Sequence, residues 1–340
     1  MRAVRARVAQ VERSLDAHVT KRTPLFYERG ADEASDRPAH VRAGSALVRL
    51  GATTLAVIQD DACFVAILEG VGADRPLMVH DVTLPALAGV RQFDDTRGNK
   101  KLKLDLEACL ALDGGQRLLA FGSGSSPARE RVVLIDDPKA QEARITVVHA
   151  RALYAAMHAE VVFRGSELNV EGVACSGGDV VFFQRGNGAA RGELVPVDAT
   201  ARVERAALLA YLDDPEHQPC PPLRDVVAWD LGAIEGTRLT FTDAASWHDR
   251  IAFLACAEAS PDATRDGPVS GVAIGLLDDR SREATLGKIW DEKGAPLVDK
   301  AEGLAFDATD EHRAFLVVDR DDPACPAALL ELRLGEGWRR

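Results

Sequence analysis

The sequence predicts an all-β fold, a five-bladed β-propeller, from three observations. A short acidic motif recurs at a nearly constant interval along the 340 residues. Each interval holds about four segments with the apolar and polar alternation of β-strands, and helical periodicity is weak outside residues 150–160 and 203–212. Apolar residues make up 46% of the chain and charged residues 28%, which is typical of a globular protein and excludes disordered and coiled-coil classes.

The repeat consists of an acidic residue on one strand, a polar turn and a second, strongly apolar strand. In four repeats the acidic residue is a glutamate, at intervals of 64, 64 and 67 residues: Glu107, Glu171, Glu235 and Glu302. The apolar return strands are predicted at residues 118–121, 180–183, 251–254 and 314–317. One interval before Glu107, Ser45 takes the place of the glutamate at the start of a fifth, similar pair of strands.

Repeats of four strands in an all-β chain favour a radial arrangement, because it leaves only short sheet edges exposed. One domain is predicted, with blades at about residues 40–95, 100–160, 165–222, 225–292 and 295–340, the last completed by residues 1–12. Residues 2–11 alternate like a strand and are predicted to close the ring. Six blades are the alternative if residues 76–93 hide one. Two stacked β-sandwiches are disfavoured, because they would not explain why a glutamate recurs at the same position of the repeat.

The repeated residue is predicted to reach the central axis, because the first strand of every propeller blade lines the channel. The predicted ring contains Ser45, Glu107, Glu171, Glu235 and Glu302. Carboxylates crowded there raise one another's pKa unless a positive group lies among them. Oxygen-only ligands favour Ca²⁺, with Mg²⁺ as the second candidate. There are three alternatives: an unmetallated ring paired with arginine, glutamates that only link blades through backbone amides, and glutamates that contact the substrate directly.

A second polar set follows the return strands and is predicted to surround one mouth of the channel. Its candidate bases are Glu258, Asp319 and Asp61. Its candidate substrate-binding residues are Arg185, Asn187, Ser123, Ser125 and Arg129. The backbone amides of residues 122–126 could cradle an anion. Of the eight histidines only His248 is placed near the mouth, and a surface position is favoured for it.

The Glu-Gly strands, the five repeats and the serine in place of one glutamate resemble the calcium-activated nucleotidases, or apyrases, and the phytase-like and esterase-like propellers. The resemblance implies a central Ca²⁺ bound by inner-strand serine and glutamate residues, here Ser45, Glu107, Glu171, Glu235 and Glu302. The chain departs from the apyrases because its predicted mouth has no obvious aromatic residues to stack on a nucleotide. An uncharacterised bacterial propeller family also fits this pattern.

These observations predict a cation-dependent hydrolase of phosphoesters or related esters. The alternative is a non-enzymatic, metal-stapled propeller that binds a protein or a small ligand. The net charge of -12 disfavours nucleic-acid binding, so a small anionic substrate or ligand is expected. A membrane span and a secretion signal are not evident, which predicts a cytoplasmic protein. The six cysteines are scattered singly, as expected of core residues rather than of disulfides or zinc ligands.

Overall fold

Five four-stranded antiparallel blades form a ring in the computed structural model, which describes residues 6–260, 267–278 and 281–339. The outer strands of blades 4 and 5 also pair in parallel at Ile289–Trp290 and Ala17–His18, which joins these two blades into one sheet. Each inner strand contacts the inner strands of the two neighbouring sheets, and the inner strand of the fifth sheet contacts that of the first. The predicted all-β, five-bladed propeller is therefore confirmed. Residues 76–93 hold an outer strand and isolated bridges, and no sixth blade occurs within the described ranges.

The strands of each blade take four positions, from the channel outward. The inner strands are Gly44–Gly51, Leu106–Leu112, Val170–Ser176, Thr240–Trp247 and Lys300–Phe306. The second strands are Thr54–Gln59, Arg117–Gly122, Asp179–Gln184, Arg250–Glu258 and Arg313–Asp319. The third strands are Phe64–Glu69, Arg131–Asp136, Asp198–Glu204, Val269–Asp278 and Ala328–Leu334. The outer strands are Met78–Thr83, Arg144–His149, Arg224–Asp230, Glu283–Trp290 and, for blade 5, Ala17–Pro24.

The N-terminal region closes the ring, as predicted, but with a different segment. Ala17–Pro24 lies antiparallel to Ala328–Leu334 and completes blade 5. The predicted closing segment, residues 2–11, instead contributes two short strands that run parallel to the outer strands of blades 3 and 4. The reason is burial: Val8 and Val11 are 69% and 71% exposed, whereas Ala17 and Val19 enter the core. Residues 1–5 of the prediction lie outside the described part of the chain.

Apolar side chains fill the wedges between neighbouring blades in five separate clusters. Phe121 of blade 2 meets Phe182 of blade 3 edge to face, with ring centroids 5.2 Å apart. Phe183 of blade 3 meets Phe241 of blade 4 in the same way at 5.0 Å. This geometry is favourable for aromatic pairs. Each blade thus depends on both of its neighbours for its core, which holds the channel walls rigid.

Three short helices pack against the apolar cluster shared by blades 2 and 3. Helix α1 (Arg151–Ala159) and helix α3 (Arg205–Asp213) occur where helical periodicity was predicted, and α2 (Val161–Arg164) follows α1 directly. Glu204 caps α3, because its carboxylate accepts hydrogen bonds from the backbone N–H groups of Ala206 and Ala207. The 3₁₀ turns are Arg13–Leu15, Lys100–Leu102, Asp113–Gly115, Pro127–Arg129 and Glu336–Trp338. A two-stranded hairpin, Ala233–Ile234 with Thr237–Arg238, precedes blade 4.

All six cysteines are free thiols, and Cys63, Cys109 and Cys256 are buried, as predicted for core residues. Among the helices of the described ranges, none combines the length and the apolar character needed to cross a bilayer.

Candidate functional site at the channel mouth

Every inner strand carries a β-bulge at the repeated position. The pairing with the second strand shifts at Ser45, Glu107, Glu171, Thr242 and Glu302. A bulge leaves one residue out of the ladder and redirects its side chain, and such bulges are common beside functional sites. The five side chains are buried, with 0% to 9% of their surface exposed. The ring predicted from the repeat is therefore present, with one member exchanged.

Glu235 is the member that was assigned wrongly. It lies exposed in the turn of the small hairpin before blade 4, with a backbone φ of 50°, and Thr242 occupies the ring position. The error came from matching the Glu-Gly pair rather than the hairpin length. The ring residue stands 9 to 12 residues before the return strand in blades 2, 3 and 5, whereas Glu235 precedes Ile251 by 16. Thr242 precedes it by 9.

The two hydroxyl members of the ring link neighbouring blades. Ser45 Oγ donates a hydrogen bond to the backbone O of Leu106 at 2.5 Å. Thr242 Oγ1 donates to the backbone O of Ala301 at 2.8 Å. Each acceptor directly precedes a ring glutamate of the next blade. These hydroxyls therefore fix the position of Glu107 and Glu302 relative to the preceding blade.

Two glycines next to ring glutamates allow the inner strands to approach closely. A Cβ on Gly172 would lie 2.9 Å from the backbone N of Ala244, and one on Gly303 would lie 2.6 Å from the backbone N of Leu47. Real Cβ atoms do not tolerate such contacts, so glycine is required there. Close approach of neighbouring inner strands is therefore the role of glycine at these two positions. Gly236, beside Glu235, has open space around it.

A cavity of about 220 Å³ lies at the end of the channel where the inner strands begin and the second strands end. Among the described residues, twelve acidic and six basic side chains line it. The cavity brings together six of the eight predicted mouth residues, namely Asp61, Arg129, Arg185, Asn187, Glu258 and Asp319, and Asp60 and Asp321 also line it. The ring glutamates Glu107, Glu171 and Glu302 form part of its wall. The cavity therefore carries a large surplus of potential negative charge.

Arg185 occupies the side of the mouth formed by blades 3, 4 and 5. Its guanidinium donates to Glu171 Oε1 at 3.3 Å, lies 3.7 Å from Glu302 Oε1 and forms a close ion pair with Glu258. Its Nε donates to Thr240 Oγ1 at 3.2 Å. These carboxylates raise the pKa of Arg185 well above its usual value, against the opposing effect of burial. Arg185 therefore holds three blades together and neutralises this side.

Burial nevertheless raises the pKa of Glu171 and Glu302, although Arg185 and Lys300 oppose the shift. Lys300 Nζ lies 3.4 Å from Glu302 Oε1 and 3.1 Å from Asp321 Oδ1. Asn169 Nδ2 donates to Glu171 Oε1 at 2.6 Å and to Asn187 Oδ1 at 3.2 Å. Every ring carboxylate on this side thus has protein partners.

The side formed by blades 1 and 2 is different. One oxygen each of Asp60, Asp105 and Glu107 lies within 4.8 Å of the others. The Glu107 carboxylate makes no hydrogen bond or ion pair with a described residue, although only 9% of the residue is exposed. Asp60 Oδ1 is also buried without a partner among these residues. Burial and the neighbouring carboxylates of Asp60, Asp105 and Glu171 raise the pKa of Glu107 well above its usual value.

Two protein cations contact this cluster, Lys103 and, at Asp105 alone, Arg129. Lys103 Nζ forms a close ion pair with Asp60 and lies 2.7 Å from Asp105 Oδ1, with only 7% of the lysine side chain exposed. A hard cation bound at 2.3 to 2.6 Å admits ligand oxygens about 5 Å apart, so the spacing of Asp60, Asp105 and Glu107 fits calcium. Oxygen-only ligands also fit its chemistry.

The loop at residues 122–126, predicted as an anion cradle, holds an internal carboxylate. Ser123 Oγ donates a close hydrogen bond to Asp105 and lies 2.9 Å from Ser125 Oγ. Arg129 Nη1 donates to Ser125 Oγ at 2.8 Å, and the guanidinium lies 2.8 Å from Asp105 Oδ2. Lys103, Arg129 and these hydrogen bonds lower the pKa of Asp105 despite burial. Ser123 and Ser125 therefore position Asp105, and only Arg129 of the three reaches the cavity wall.

The three predicted bases have different surroundings. Burial, with added repulsion from Asp321 and Asp60, raises the pKa of Asp319 to about 8. Burial and Asp60 raise the pKa of Asp61 to about 7, although its Oδ2 accepts from Arg42 Nε at 2.9 Å. Glu258 is committed to Arg185 and to the backbone N–H of Gly267, at 2.8 Å. Asp319 and Asp61 are therefore better placed than Glu258 to exchange a proton near neutral pH.

Several residues of the mouth were missed from the sequence. Asp105, Asn169, Thr240 and Lys300 all stand two positions before a ring residue. Alternation along a strand places residues i and i+2 on one face, so the position two residues before each ring residue could have revealed these four mouth residues. His248, by contrast, lies in the two-residue turn between the inner and second strands of blade 4, at the opposite end of the channel, with its ring 4.3 Å from that of Trp247.

Solved structures that resemble the chain are distant. A protein of unknown function from Bacteroides thetaiotaomicron is 9% identical with a TM-score of 0.41, and the match covers 92% of this chain and 76% of that one. A mannose phosphorylase from Leishmania mexicana, solved with a phosphate ion, is 13% identical with a TM-score of 0.42, covering 92% and 88%. The NanB sialidase from Streptococcus pneumoniae is 12% identical with a TM-score of 0.33, covering 80% and 36%. Likenesses this weak carry no argument about function.

No curated protein matches the sequence. A family profile does match, over residues 40–334, and this range spans the inner, second and third strands of all five blades. It leaves out the closing strand Ala17–Pro24. The match covers most of the chain, which therefore belongs to the family of unknown function DUF6929.

Proposed function

We propose that the channel mouth binds a divalent cation through Asp60, Asp105 and Glu107 and uses it to hydrolyse a phosphoester or a related ester. The observation that carries this proposal is the buried Glu107 carboxylate, which has no partner among the described residues and faces a cavity with twice as many acidic as basic side chains. Burying such a group uncompensated is costly, so a bound cation or a proton is required there. Ca²⁺ suits the oxygen ligands best, and Mg²⁺ is the second candidate.

A bound cation would supply charge to polarise the ester and to stabilise the oxygens that become more negative during the reaction. Asp319, which holds a proton at neutral pH, is proposed to donate it to the leaving oxygen. The pairing of Glu258 with Arg185 favours Asp319 over Glu258 in this role. The attacking water forms the new bond to phosphorus or to the carbonyl carbon, the bond from that atom to the leaving oxygen breaks, and the water gives its proton to Asp61, which Arg42 holds in place. Proton exchange with solvent then restores both carboxyl groups.

Asn187 and Arg129 are proposed to contact the substrate, because both lie on the cavity wall. Arg185, Ser123 and Ser125 are used in internal contacts and are proposed as positioning residues. The resemblance of the repeated Glu-Gly strands to calcium-activated nucleotidases and phytase-like propellers supports a phosphate ester as the substrate class.

Thermal unfolding and hydrolysis of a chromogenic phosphate ester and acetate ester test the proposal. The chelator-treated full chain is measured with and without added Ca²⁺ or Mg²⁺. The expected result is a higher Tm and measurable turnover with the cation, both lost in Glu107→Gln. The matched control is Glu235→Gln, which changes an exposed glutamate that does not line the cavity and should behave as the wild type. A Tm that no divalent cation changes, together with no turnover, would overturn the proposal.

A second candidate function is a non-enzymatic propeller in which the cation adds stability and the mouth binds a small ligand or a protein. The contacts of Arg185 favour this second function, because its side chain joins blades 3, 4 and 5 in a purely structural role. The same experiment separates the two candidates. A rise in Tm with Ca²⁺ that is never accompanied by turnover supports the second.

A further inference from the structure

A second cavity, of about 860 Å³, lies at the end of blade 5 opposite the channel mouth. It is formed where the closing strand Ala17–Pro24 begins and the third strand Ala328–Leu334 ends, with the two 3₁₀ turns beside them. We call it the blade 5 groove and define it by its basic side chains: Arg13, His18, His312, Arg313, Arg333 and Arg339. None of these residues takes part in the mouth.

Two arginines stand directly opposite one another in this groove. Arg313 pairs with Arg333 across the second and third strands, and Arg333 pairs with His18 across the third and outer strands. Like charges at directly opposed sheet positions are destabilising. Asp307 compensates Arg313, at 3.0 Å. Arg333 has no ion pair or hydrogen bond from its side chain to any residue in the described ranges, so its charge is left available.

The same holds for Arg13 and Arg339, whose side chains form no ion pair or hydrogen bond within the described ranges. The acidic side chains of the groove do not form ion pairs with these arginines within the described ranges. Asp16 accepts from the backbone N of Lys288 at 2.8 Å and from Trp290 Nε1 at 3.1 Å. Asp310 accepts from the backbone N of His312 at 2.9 Å, and Glu336 is exposed. The arginines are thus available to a ligand, in a chain of net charge -12.

The groove is held in shape by buried contacts beneath it. Trp338 is 1% exposed, and its Nε1 donates to the backbone O of Leu15 at 2.9 Å. The backbone N of Gly335 donates to the backbone O of Asp16 at 3.0 Å. These bonds fix the turn that carries Arg13 against the turn that precedes Arg339. A fixed backbone lowers the ordering cost of binding.

We propose that the blade 5 groove binds a small anion that carries two or more phosphate groups. Guanidinium groups match phosphate oxygens with paired, charge-assisted hydrogen bonds, and three arginines without partners in the described chain, spread over one groove, suit more than one phosphate. The volume lies in the range of small-molecule sites, roughly 300 to 1,000 Å³. A long nucleic acid is disfavoured, because the rest of the surface would repel it. The proposal does not depend on the function proposed for the mouth.

Isothermal titration calorimetry with sodium tripolyphosphate tests this site on the full chain. A chelator in the buffer removes divalent cations, so that phosphate cannot bind through a metal at the mouth. The wild type is expected to bind at one site. The double variant Arg13→Gln/Arg333→Gln should bind at least tenfold more weakly, since it loses two guanidinium groups that form charge-assisted hydrogen bonds to phosphate. Inorganic phosphate as a second probe shows whether one phosphate group is sufficient.

Two controls make the result specific. Arg151→Gln removes an exposed arginine on α1 and should leave tripolyphosphate affinity unchanged. Glu107→Gln alters the mouth and should also leave it unchanged, which separates this site from the function proposed above. Equal affinity of the double variant and the wild type, or no binding by the folded wild type, would overturn the proposal. The double variant and Arg151→Gln replace exposed side chains, and circular dichroism confirms that every variant retains the fold.

Discussion

The two sides of the channel mouth are built from the same strand positions but neutralise their carboxylates differently. On the side of blades 3 to 5, Arg185 and Lys300 lie among Glu171, Glu258 and Glu302. On the side of blades 1 and 2, Glu107 has no partner in the described chain, and Lys103 is shared between Asp60 and Asp105. The difference arises at the residue after the second strand, which is an arginine in blade 3 and an aspartate in blade 1.

This comparison teaches that a repeated position fixes where acidic side chains meet, while the residue that faces it decides what neutralises them. Arg185 is part of the chain, so the carboxylates on the blade 3 side are neutralised without a cation from solution. Asp60 adds charge instead of removing it, so the blade 1 side needs a cation or protons from solution.

The largest effect is expected from removing the internal cation. Arg185→Met leaves Glu171, Glu258 and Glu302 buried without their guanidinium, which should lower the free energy of unfolding by about 3 to 5 kcal/mol. Urea unfolding measures the loss. Arg151→Met, on the exposed face of α1, is the control and should change stability by less than about 0.5 kcal/mol. A small effect of Arg185→Met would mean that the two sides do not differ as described.

The next largest effect is expected in the pH dependence of the free energy of unfolding. The pKa of Asp319 is raised to about 8 in the folded protein, so the folded state binds more protons than the unfolded state between about pH 4 and pH 8. The free energy of unfolding should therefore fall as pH rises through this window, by up to about 1.4 kcal/mol per pH unit for one group, and level off above pH 8.

Asp319→Asn should make this decline shallower, and not abolish it, because the pKa of Asp61 is also raised, to about 7. Urea unfolding in chelator at several pH values gives the slopes. Identical slopes in the variant and the wild type would contradict the assignment of a buried, protonated Asp319.

A third prediction sharpens the comparison on the blade 1 side. Lys103→Met removes the ammonium that competes with a divalent cation for Asp60 and Asp105, so the affinity for Ca²⁺ should rise by about tenfold. Calcium titration followed by Tm and calorimetry measures the affinity. Lys101→Met changes an exposed lysine two residues away and should have no effect. Unchanged or weaker calcium binding in Lys103→Met would place the cation elsewhere.

The smallest effect is expected at the hydroxyl members of the ring. Thr242→Val keeps the shape of the side chain but leaves the backbone O of Ala301 without its donor, at a cost of about 1 kcal/mol. Ser45→Ala should behave similarly through Leu106. Differential scanning calorimetry compares both with the wild type. Stability losses as large as that of Arg185→Met would show that the hydroxyls do more than link neighbouring strands.

The sequence predicted the number of blades, because the spacing between repeats is preserved at the glutamates that occupy the bulges. It also predicted that Glu107, Glu171 and Glu302 share one ring. The prediction failed in blade 4. Thr242 occupies the bulge there but is not acidic, whereas Glu235 belongs to a Glu-Gly pair that lies outside the bulge. The length of the hairpin, which the backbone enforces, was the more reliable guide.

The partners of the predicted residues could not be read from the chain. Arg185 was expected to hold substrate, and Ser123 and Ser125 to cradle an anion, but the bonds they form are to Glu171, Glu258 and Asp105. These contacts join residues up to 73 positions apart, and no local pattern specifies them. The closing strand was displaced for a similar reason, because residues 7–11 and 17–24 both alternate and only the surrounding blades decide which is buried.

The pairing of the closing strand links the two ends of the chain, as Lys21 and Glu331 meet across 310 residues of sequence. During translation, Ala17–Pro24 leaves the ribosome long before its partner strand is made. A nascent chain that stops short of residue 328 therefore presents an open sheet edge, which is prone to aggregate. Emergence of Ala328–Leu334 is therefore the event that completes blade 5, and the nascent chain needs protection from aggregation most in the interval before it.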